Sequence, residues 1–389
     1  MDLPSNITAG NAGREETTVA IIGSGVSGLT LATFLRKSGI ACVVLERRNR
    51  AYVEARQRAG FVEARAVAMF ERWGLANLLP EGPVAQRGEI RINGSGRTFG
   101  SSSEEAKQGR FCTQQQLVSN LLRELIDQMG GDVRFQFAEI TIHNDEDNCP
   151  RINYSDADGL HELVCDYIVG CDGGHSVSRS SIPHGALTKY SYEFGYAWLA
   201  ALVAAPPVTG LAIMGVSEHG FAAQITRGPN RSRVYLQCEV SDGPEDWPDS
   251  RIWDEMRLRL CDDTIQDAVV LDKDVIPLRS VVYVPMQYRN LFLVGDAAHL
   301  VPPTGAKGMN IALHDVDVLS KALLAALRDG DKAALRNYSD AVLPHVWKEQ
   351  EFSVTMTDIM HDAGDPKQHG TFRQMIARKR LDAFLTSAH

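Results

Sequence analysis

The chain has 389 residues, 44% hydrophobic and 23% charged, an ordinary make-up for a globular protein that buries one large core or two medium ones. Its formal net charge of −9 and lack of a basic stretch argue against nucleic acid or an anionic membrane surface as a partner. The seven cysteines are scattered and never form C-x-x-C, so no disulfide framework and no metal site are expected, and a reducing, cytoplasmic setting fits.

Met1 to Thr17 is polar, lacks the basic-then-apolar layout of a signal peptide and reads as a mobile tail. No apolar run approaches the roughly 20 residues of a membrane span. From Thr18 to Arg48 the pattern is buried strand, glycine turn, helix and second buried strand. Gly23, Gly25 and Gly28 follow the apolar run Val19-Ala20-Ile21-Ile22 at G-x-G-x-x-G spacing. Gly23 permits the tight turn, Gly25 lets a pyrophosphate approach the backbone, and Gly28 lets helix and strand pack closely. Glu46 closes the second strand, where a carboxylate accepts a ribose hydroxyl. This unit alone does not distinguish FAD from NAD(P).

A helix is expected over Val62 to Leu79, then strands over Arg87 to Phe99 with Asn93-Gly94 as a hairpin turn. Thr113 to Met129 has helical spacing at Leu117, Leu121, Leu122, Leu125 and Ile126. Strands then alternate with polar turns as far as the segment from Asp166 to Gly174. Tyr192 to Arg279 is β-rich, as in the alternating run Ser232 to Gln237, with a helical exception at Arg251 to Cys261. No internal repeat interrupts this order.

The run from Gly295 to Asn310 joins Asp296 to a Pro302-Pro303-Thr304-Gly305 turn and then to a long helical pattern. An acidic side chain can hold a ribityl hydroxyl, and a helix start with free N–H groups can hold an oxyanion. A cofactor with a polyol tail and a ring that becomes anionic on reduction needs both, and flavin is that cofactor. Beyond this point the chain reads as helical to its end, with polar loops near Gly364 and Gly370. The expected layout is a tail at 1–17, a discontinuous cofactor domain at 18–85, 105–190 and 280–330, a β-rich substrate domain at 86–104 and 191–279, and a helical segment at 331–389. Pockets favour such junctions.

Together, Gly23-x-Gly25-x-x-Gly28, Cys171-Asp172-Gly173 and Gly295-Asp296 resemble the class A flavoprotein aromatic monooxygenases, most of all their para-hydroxybenzoate hydroxylase branch. The similarity runs from about Thr18 to Met360. It is strongest in Arg58-Ala59-Gly60, Gly170-Cys171-Asp172-Gly173, Pro277-Leu278-Arg279-Ser280 and Pro302 to Gly308. The resemblance implies an α/β fold: a Rossmann-like (GR2-type) FAD-binding domain, an inserted β-rich substrate domain and a helical C-terminal segment. It also implies chemistry in which NAD(P)H reduces FAD and dioxygen adds at the flavin C4a position. The distal oxygen of that hydroperoxide then attacks an electron-rich ring.

The same resemblance assigns Glu46 to the adenosine ribose, and Arg58 and Gln114 to the FAD pyrophosphate or ribityl chain. Asp296 would hold the ribityl chain, and Met309 and Asn310 would offer backbone to the flavin pyrimidine edge. Ser27, Asp172, Gly173, Gly305 and Lys307 complete the expected cofactor contacts, with Lys307 and the helix start after Thr304 adding positive potential. Arg227 matches the arginine that grips a substrate carboxylate, Tyr235 a second contact to it, and Arg233 a residue supporting flavin movement. Pro303 and Thr304 complete the catalytic set that the resemblance implies. Arg48, Tyr52, His175, Arg179 and Arg279 match reductant-site positions, and the arginine run at 47–50 predicts NADPH over NADH.

Departures concern the substrate. The family's phenol-deprotonating relay falls on Met214, Ile225 and Gln86, none of which relays a proton as a tyrosine, serine or histidine does. The indole flanking the family's flavin is replaced here by Tyr196, and a further relay tyrosine has no counterpart before His389. These changes point to a substituted 4-hydroxybenzoate or aminohydroxybenzoate as substrate, with dioxygen as co-substrate. The alternatives are para-hydroxybenzoate 3-hydroxylation itself, decarboxylative hydroxylation, or reduction by a flavin enzyme of the same superfamily. A homodimer is compatible with the sequence but not specified by it.

Overall fold

The structure, a computed structural model, describes residues 13–56, 60–80, 88–99, 109–111, 114–145, 149–210, 212–367 and 369–387. Arg58 and Gln86 lie outside the described residues. The chain opens with β1 (Gly13–Ile22), α1 (Val26–Lys37) and β2 (Cys42–Glu46), followed by α2 (Arg50–Ala55), β3 (Phe61–Val62) and α3 (Ala64–Arg72). Val19, Ala20, Ile21 and Ile22 are 0–1% exposed because a central parallel strand is covered on both faces. Burying each isoleucine contributes about 1.5–3 kcal/mol.

Two expectations need correction here. β1 starts at Gly13, inside the stretch read as a tail, and pairs in parallel from Gly13↔His161 to Thr17↔Cys165. Its polar start is explained by exposure: Arg14, Glu15 and Glu16 face solvent, and Glu15 pairs with Arg134 at 2.6 Å. The helix expected over Val62 to Leu79 is broken, since Gly74 adopts φ +65° and only a short 3-10 turn, Ala76–Leu78, follows.

The hairpin β4 (Gly88–Ile92) and β5 (Ser95–Phe99) turns at Asn93 and Gly94, both with positive φ. After β6 (Arg110–Phe111), α4 (Gln114–Leu122) widens into a π turn at Arg123–Gln128, so the expected helix is present but not uniform. β7 (Asp132–Phe135), β8 (Ile140–His143), β9 (Arg151–Asp156) and β10 (Gly159–Gly170) complete the first half. The short α5 (Val177–Ser180) leads to β11 (Thr188–Val203), β12 (Ala212–Ser217), β13 (Gly220–Thr226) and β14 (Ser232–Cys238). Next come α6 (Asp249–Leu260), β15 (Val270–Val284), β16 (Gln287–Tyr288), β17 (Leu291–Leu293) and β18 (His299–Leu300). The remainder is helical: α7 (Gly308–Asp329), α8 (Ala333–Arg336), α9 (Tyr338–Asp362) and α10 (Gly370–Ser387).

Two sheets carry the fold. The first is ordered β16-β17-β10-β1-β2-β7, and its five strands from β17 to β7 are parallel. The second is ordered β18-β15-β11-β14-β13-β12-β4-β5 and is antiparallel apart from β12 beside β4. Side chains alternate across it. One face packs Leu199, Val234 and Leu236 on Trp253 and Met256 of α6. The other packs Tyr196, Trp198, Ala223 and Tyr235 on Met356, Met360 and Leu381 of α9 and α10.

Candidate active site

The first sheet's register sets the cofactor cradle. Ile22 is level with Gly170 and Leu45, and Gly170 is level with Leu293. The glycine turn, Glu46, Cys171-Asp172-Gly173 and Gly295-Asp296 therefore emerge together from the carboxyl ends of neighbouring parallel strands, where such folds bind ligands. A Cβ on Gly23 (φ +102°) would lie 2.4 Å from the Cys171 carbonyl oxygen, and one on Gly28 would lie 2.0 Å from that of Gly23. A Cβ on Gly25 would meet nothing within 4 Å. Gly23 and Gly28 are thus required by the fold itself, whereas Gly25 faces open space. Gly25 also caps α1 without a side-chain hydrogen bond, so the first-turn N–H groups have no side-chain acceptor from the cap.

The other cradle residues divide by what already occupies them. Glu46 accepts from Ser24 N and Oγ at 2.9 and 2.8 Å and from Arg48 N at 2.7 Å, which holds its carboxylate at the turn. Asp172 accepts from Ser176 Oγ and Ser178 N, bracing the loop that carries Gly173. Gly295 (φ +62°) abuts both Ser27 and Ala312, bringing the Asp296 turn against the glycine turn. Behind it, buried Asp315 accepts from Gly295 N at 3.0 Å and pairs with His299 at 2.7 Å. Gln114 is half-buried at the first residue of α4.

After the turn at Pro303–Gly305, Ala306 takes φ +53° and α7 begins at Gly308, with no side-chain cap from Lys307. This gives the expected helix start. Asn310 uses its side chain internally, accepting from Glu63 N and donating to the Phe61 carbonyl, so its backbone, like that of Met309, forms part of the first turn. Lys307 is held between Glu63 at 2.7 Å and Glu349 at 3.0 Å. Its expected positive charge is therefore offset by two carboxylates, and burial, which lowers its pKa, is outweighed by those partners.

Of the residues matched to the reductant, Arg48 and His175 are exposed, and Arg48 lies over the Tyr52 ring at 5.0 Å. Arg279 is also exposed. Arg179 is engaged elsewhere, donating to the Gly174 and Ala297 carbonyls at 2.8 Å each and stacking on Tyr283. It ties the Asp172 and Asp296 loops together.

One face of the second sheet carries the residues matched to the substrate. Ala200, Tyr235, Ala223 and Met214 form one cross-strand row, with Leu202, Arg233, Ile225 and Ala212 in the next. Met214, Ile225, Arg233 and Tyr235 therefore share one face. Arg227 follows Ile225 by two residues and is 8% exposed. It donates to the Thr226 carbonyl at 2.7 Å and to Tyr235 Oη at 3.2 Å, and its Nε has no partner among the described residues. Among the described residues no carboxylate pairs with it. Burial pushes its pKa down, with nearby Arg233 acting in the same direction. Arg233 reaches the Ala200 carbonyl at 3.4 Å and Asp272 only at 3.9 Å.

The sequence reading missed the polar core packed on this face. Trp198, on the same face, donates its indole N–H to His361 Nε2 at 2.7 Å, and His361 Nδ1 donates to the Thr357 carbonyl at 2.7 Å. Burial pushes the His361 pKa down to about 4, so the ring is neutral. Tyr196 stacks on His361 at 4.4 Å, and its buried hydroxyl has no partner among the described residues.

The sequence profile described as FAD binding domain matches residues 16–353. A protein of Acinetobacter baylyi named p-hydroxybenzoate hydroxylase is 37% identical over 351 residues, 89% of this chain and 86% of its own. A Rhodococcus jostii protein named probable NADH-specific resorcinol 4-hydroxylase is 26% identical over 396 residues, 95% of this chain and 71% of its own. Among solved structures, p-nitrophenol 4-monooxygenase from Pseudomonas putida has the same fold, with a TM-score of 0.79 at 18% identity and 96% coverage of both chains.

Proposed function

Since the chain belongs to the FAD binding domain family and is a flavin-dependent aromatic monooxygenase, we propose that it hydroxylates a substituted 4-hydroxybenzoate or aminohydroxybenzoate at the expense of NADPH. The observation that carries the acid is Arg227, a buried guanidinium with an orphaned Nε and no carboxylate partner among the described residues. A buried cation without a counter-charge is costly, and a substrate carboxylate supplies the missing charge in two-pronged geometry. Tyr235, already bonded to Arg227, is placed to donate its hydroxyl proton to the same anion.

FAD held at the first sheet supplies electron transfer from the nicotinamide and activation of dioxygen. Glu46 and Asp296 would hold its ribose and ribityl hydroxyls, and Gly25 and the α1 start its pyrophosphate. The uncapped start of α7 would offer backbone N–H groups to the ring's polar edge. Arg227 would fix the carboxylate end of the substrate.

Met214 and Ile225 favour an altered ring over plain 4-hydroxybenzoate. A buried phenol facing them would lose hydrogen bonding worth about 1–3 kcal/mol. The relative named p-hydroxybenzoate hydroxylase supports the unsubstituted acid as a second reading. A panel of hydroxy- and aminobenzoates, scored for stimulated NADPH oxidation, oxygen uptake and product mass, decides between them. The proposal is wrong if no benzoate gains an oxygen atom. The substituted-acid reading is wrong if 4-hydroxybenzoate has the highest kcat/KM. Exposed Arg48 beside Tyr52 supports NADPH, and equal or better kcat/KM with NADH would remove that preference.

A further inference from the structure

A line of contacts runs from the anion clamp to the cofactor turn. Arg227 donates to Tyr235 Oη, and the Tyr235 ring packs on Trp198 at 5.0 Å with the planes 47° apart. Trp198 stacks on Phe221 at 5.1 Å and is fastened through its indole N–H to His361. The two partners of His361 define its state: an indole can only donate and a carbonyl can only accept, so the ring is the neutral Nδ1–H tautomer. Thr357, whose carbonyl holds His361, gives its hydroxyl proton to the Ser353 carbonyl at 2.7 Å. It must therefore accept from Thr304, 2.9 Å away in the Pro303–Gly305 turn. Helix α9 packs against both that turn and β13.

We infer that His361 is a positioning residue for substrate binding, locking Trp198 beside the Arg227–Tyr235 clamp and tying the clamp through Thr357 to the Thr304 turn. This rests on the reading of Arg227 as the carboxylate site. His361 is 1% exposed and acts only through Trp198 and Thr357. Without its acceptor, the buried indole N–H loses its partner and the ring that flanks Tyr235 is free to rotate. The clamp then keeps its charge but loses its register with the cofactor turn.

The test uses FAD-loaded protein, with 4-hydroxybenzoate as probe. It measures the Kd from flavin spectral perturbation, hydrogen peroxide formed per NADPH oxidised, FAD content and thermal midpoint. His361→Leu should raise the Kd roughly tenfold, the equivalent of about 1.4 kcal/mol, and divert reducing equivalents to peroxide. His361→Gln, whose amide oxygen can accept from Trp198, should restore both readouts. Trp198→Phe, which keeps an aromatic ring but lacks the donor, should reproduce the Leu effects, and the double variant should be no worse than either single one. These readouts separate positioning from mere packing, because packing loss would not be rescued by Gln. Unchanged Kd and peroxide yield in both His361→Leu and Trp198→Phe would overturn the inference, as would full additivity of the two. If His361→Leu loses FAD or fails to fold, Trp198→Phe against wild type decides alone. If the wild-type protein binds no 4-hydroxybenzoate and no other benzoate, the carboxylate reading falls and the inference falls with it.

Discussion

Replacing Arg227 with Met separates an anion site from a structural arginine, because the two roles predict opposite pairs of results. In the ligand-free protein the substitution relieves the desolvation of a charge only 8% exposed, a cost of several kcal/mol. It also gives up the hydrogen bonds to the Thr226 carbonyl and Tyr235 Oη, about 1.5–3 kcal/mol each when one partner is charged. These terms oppose each other, so ligand-free stability should move by no more than about 2 kcal/mol. Acid binding should lose a two-pronged contact worth about 3–5 kcal/mol, or roughly 150- to 4,000-fold in Kd. The assay pairs thermal unfolding of the ligand-free enzyme with spectral titration by 4-hydroxybenzoate and its neutral amide. The amide should bind wild type and variant within about threefold of each other. A large loss of ligand-free stability with unchanged acid affinity would show that Arg227 serves the fold and that the carboxylate is held elsewhere.

Gly25→Ala should leave ligand-free stability within about 1 kcal/mol, since a Cβ there meets nothing within 4 Å, yet weaken FAD binding more than about tenfold. Gly28→Ala, with a Cβ 2.0 Å from the Gly23 oxygen, should destabilise the fold itself, and equal FAD loss with equal stability in both variants would contradict this division. Glu349→Gln removes one of two carboxylates on Lys307 and should raise the midpoint potential of bound FAD by tens of millivolts, about 30 mV per 1.4 kcal/mol for a two-electron couple. A dye-coupled reduction titration reads it, and an unmoved potential would show that the Lys307 cluster does not sense the ring. His361, held near pKa 4 by burial, is protonated on unfolding at the ordinary value of about 6.5. Its contribution is complete above that pH and is lost as pH falls toward 4, by up to about 1.4 kcal/mol per unit. His314 is also pushed down to about 4, mainly by burial, and adds loss of the same sign. Denaturant midpoints between pH 4.5 and 7.5 should therefore fall less steeply in His361→Gln than in wild type, and identical slopes would exclude this account.

The cofactor half was legible because its signals are local. Val19 to Ile22 is a continuous apolar run since a central parallel strand is covered on both faces, and Gly23 and Gly28 are fixed by clashes within a few residues or across one strand. The β-rich half was legible by alternation, and Asn93-Gly94 by its positive φ requirement. Legibility failed where the deciding contact is distant. The polar start of β1 pairs with a strand almost 150 residues later, from Gly13 to His161, and no apolar pattern marks it because its side chains face water. Lys307 looks like a free cation until Glu63 and Glu349 are brought to it from other elements. Trp198 and His361 stand 163 residues apart, and each alone reads as an ordinary buried ring. Periodicity states which face of a strand or helix is buried, but not which donor on one meets which acceptor on the other. The electrostatic character of this site is set by just such meetings: an arginine with no acid paired to it among the described residues, a lysine given two, and a histidine kept neutral by burial and fixed in one tautomer between an indole and a carbonyl. The residue types could be matched from sequence, whereas the charge each presents to a bound molecule follows only from the packing of the two sheets and α9.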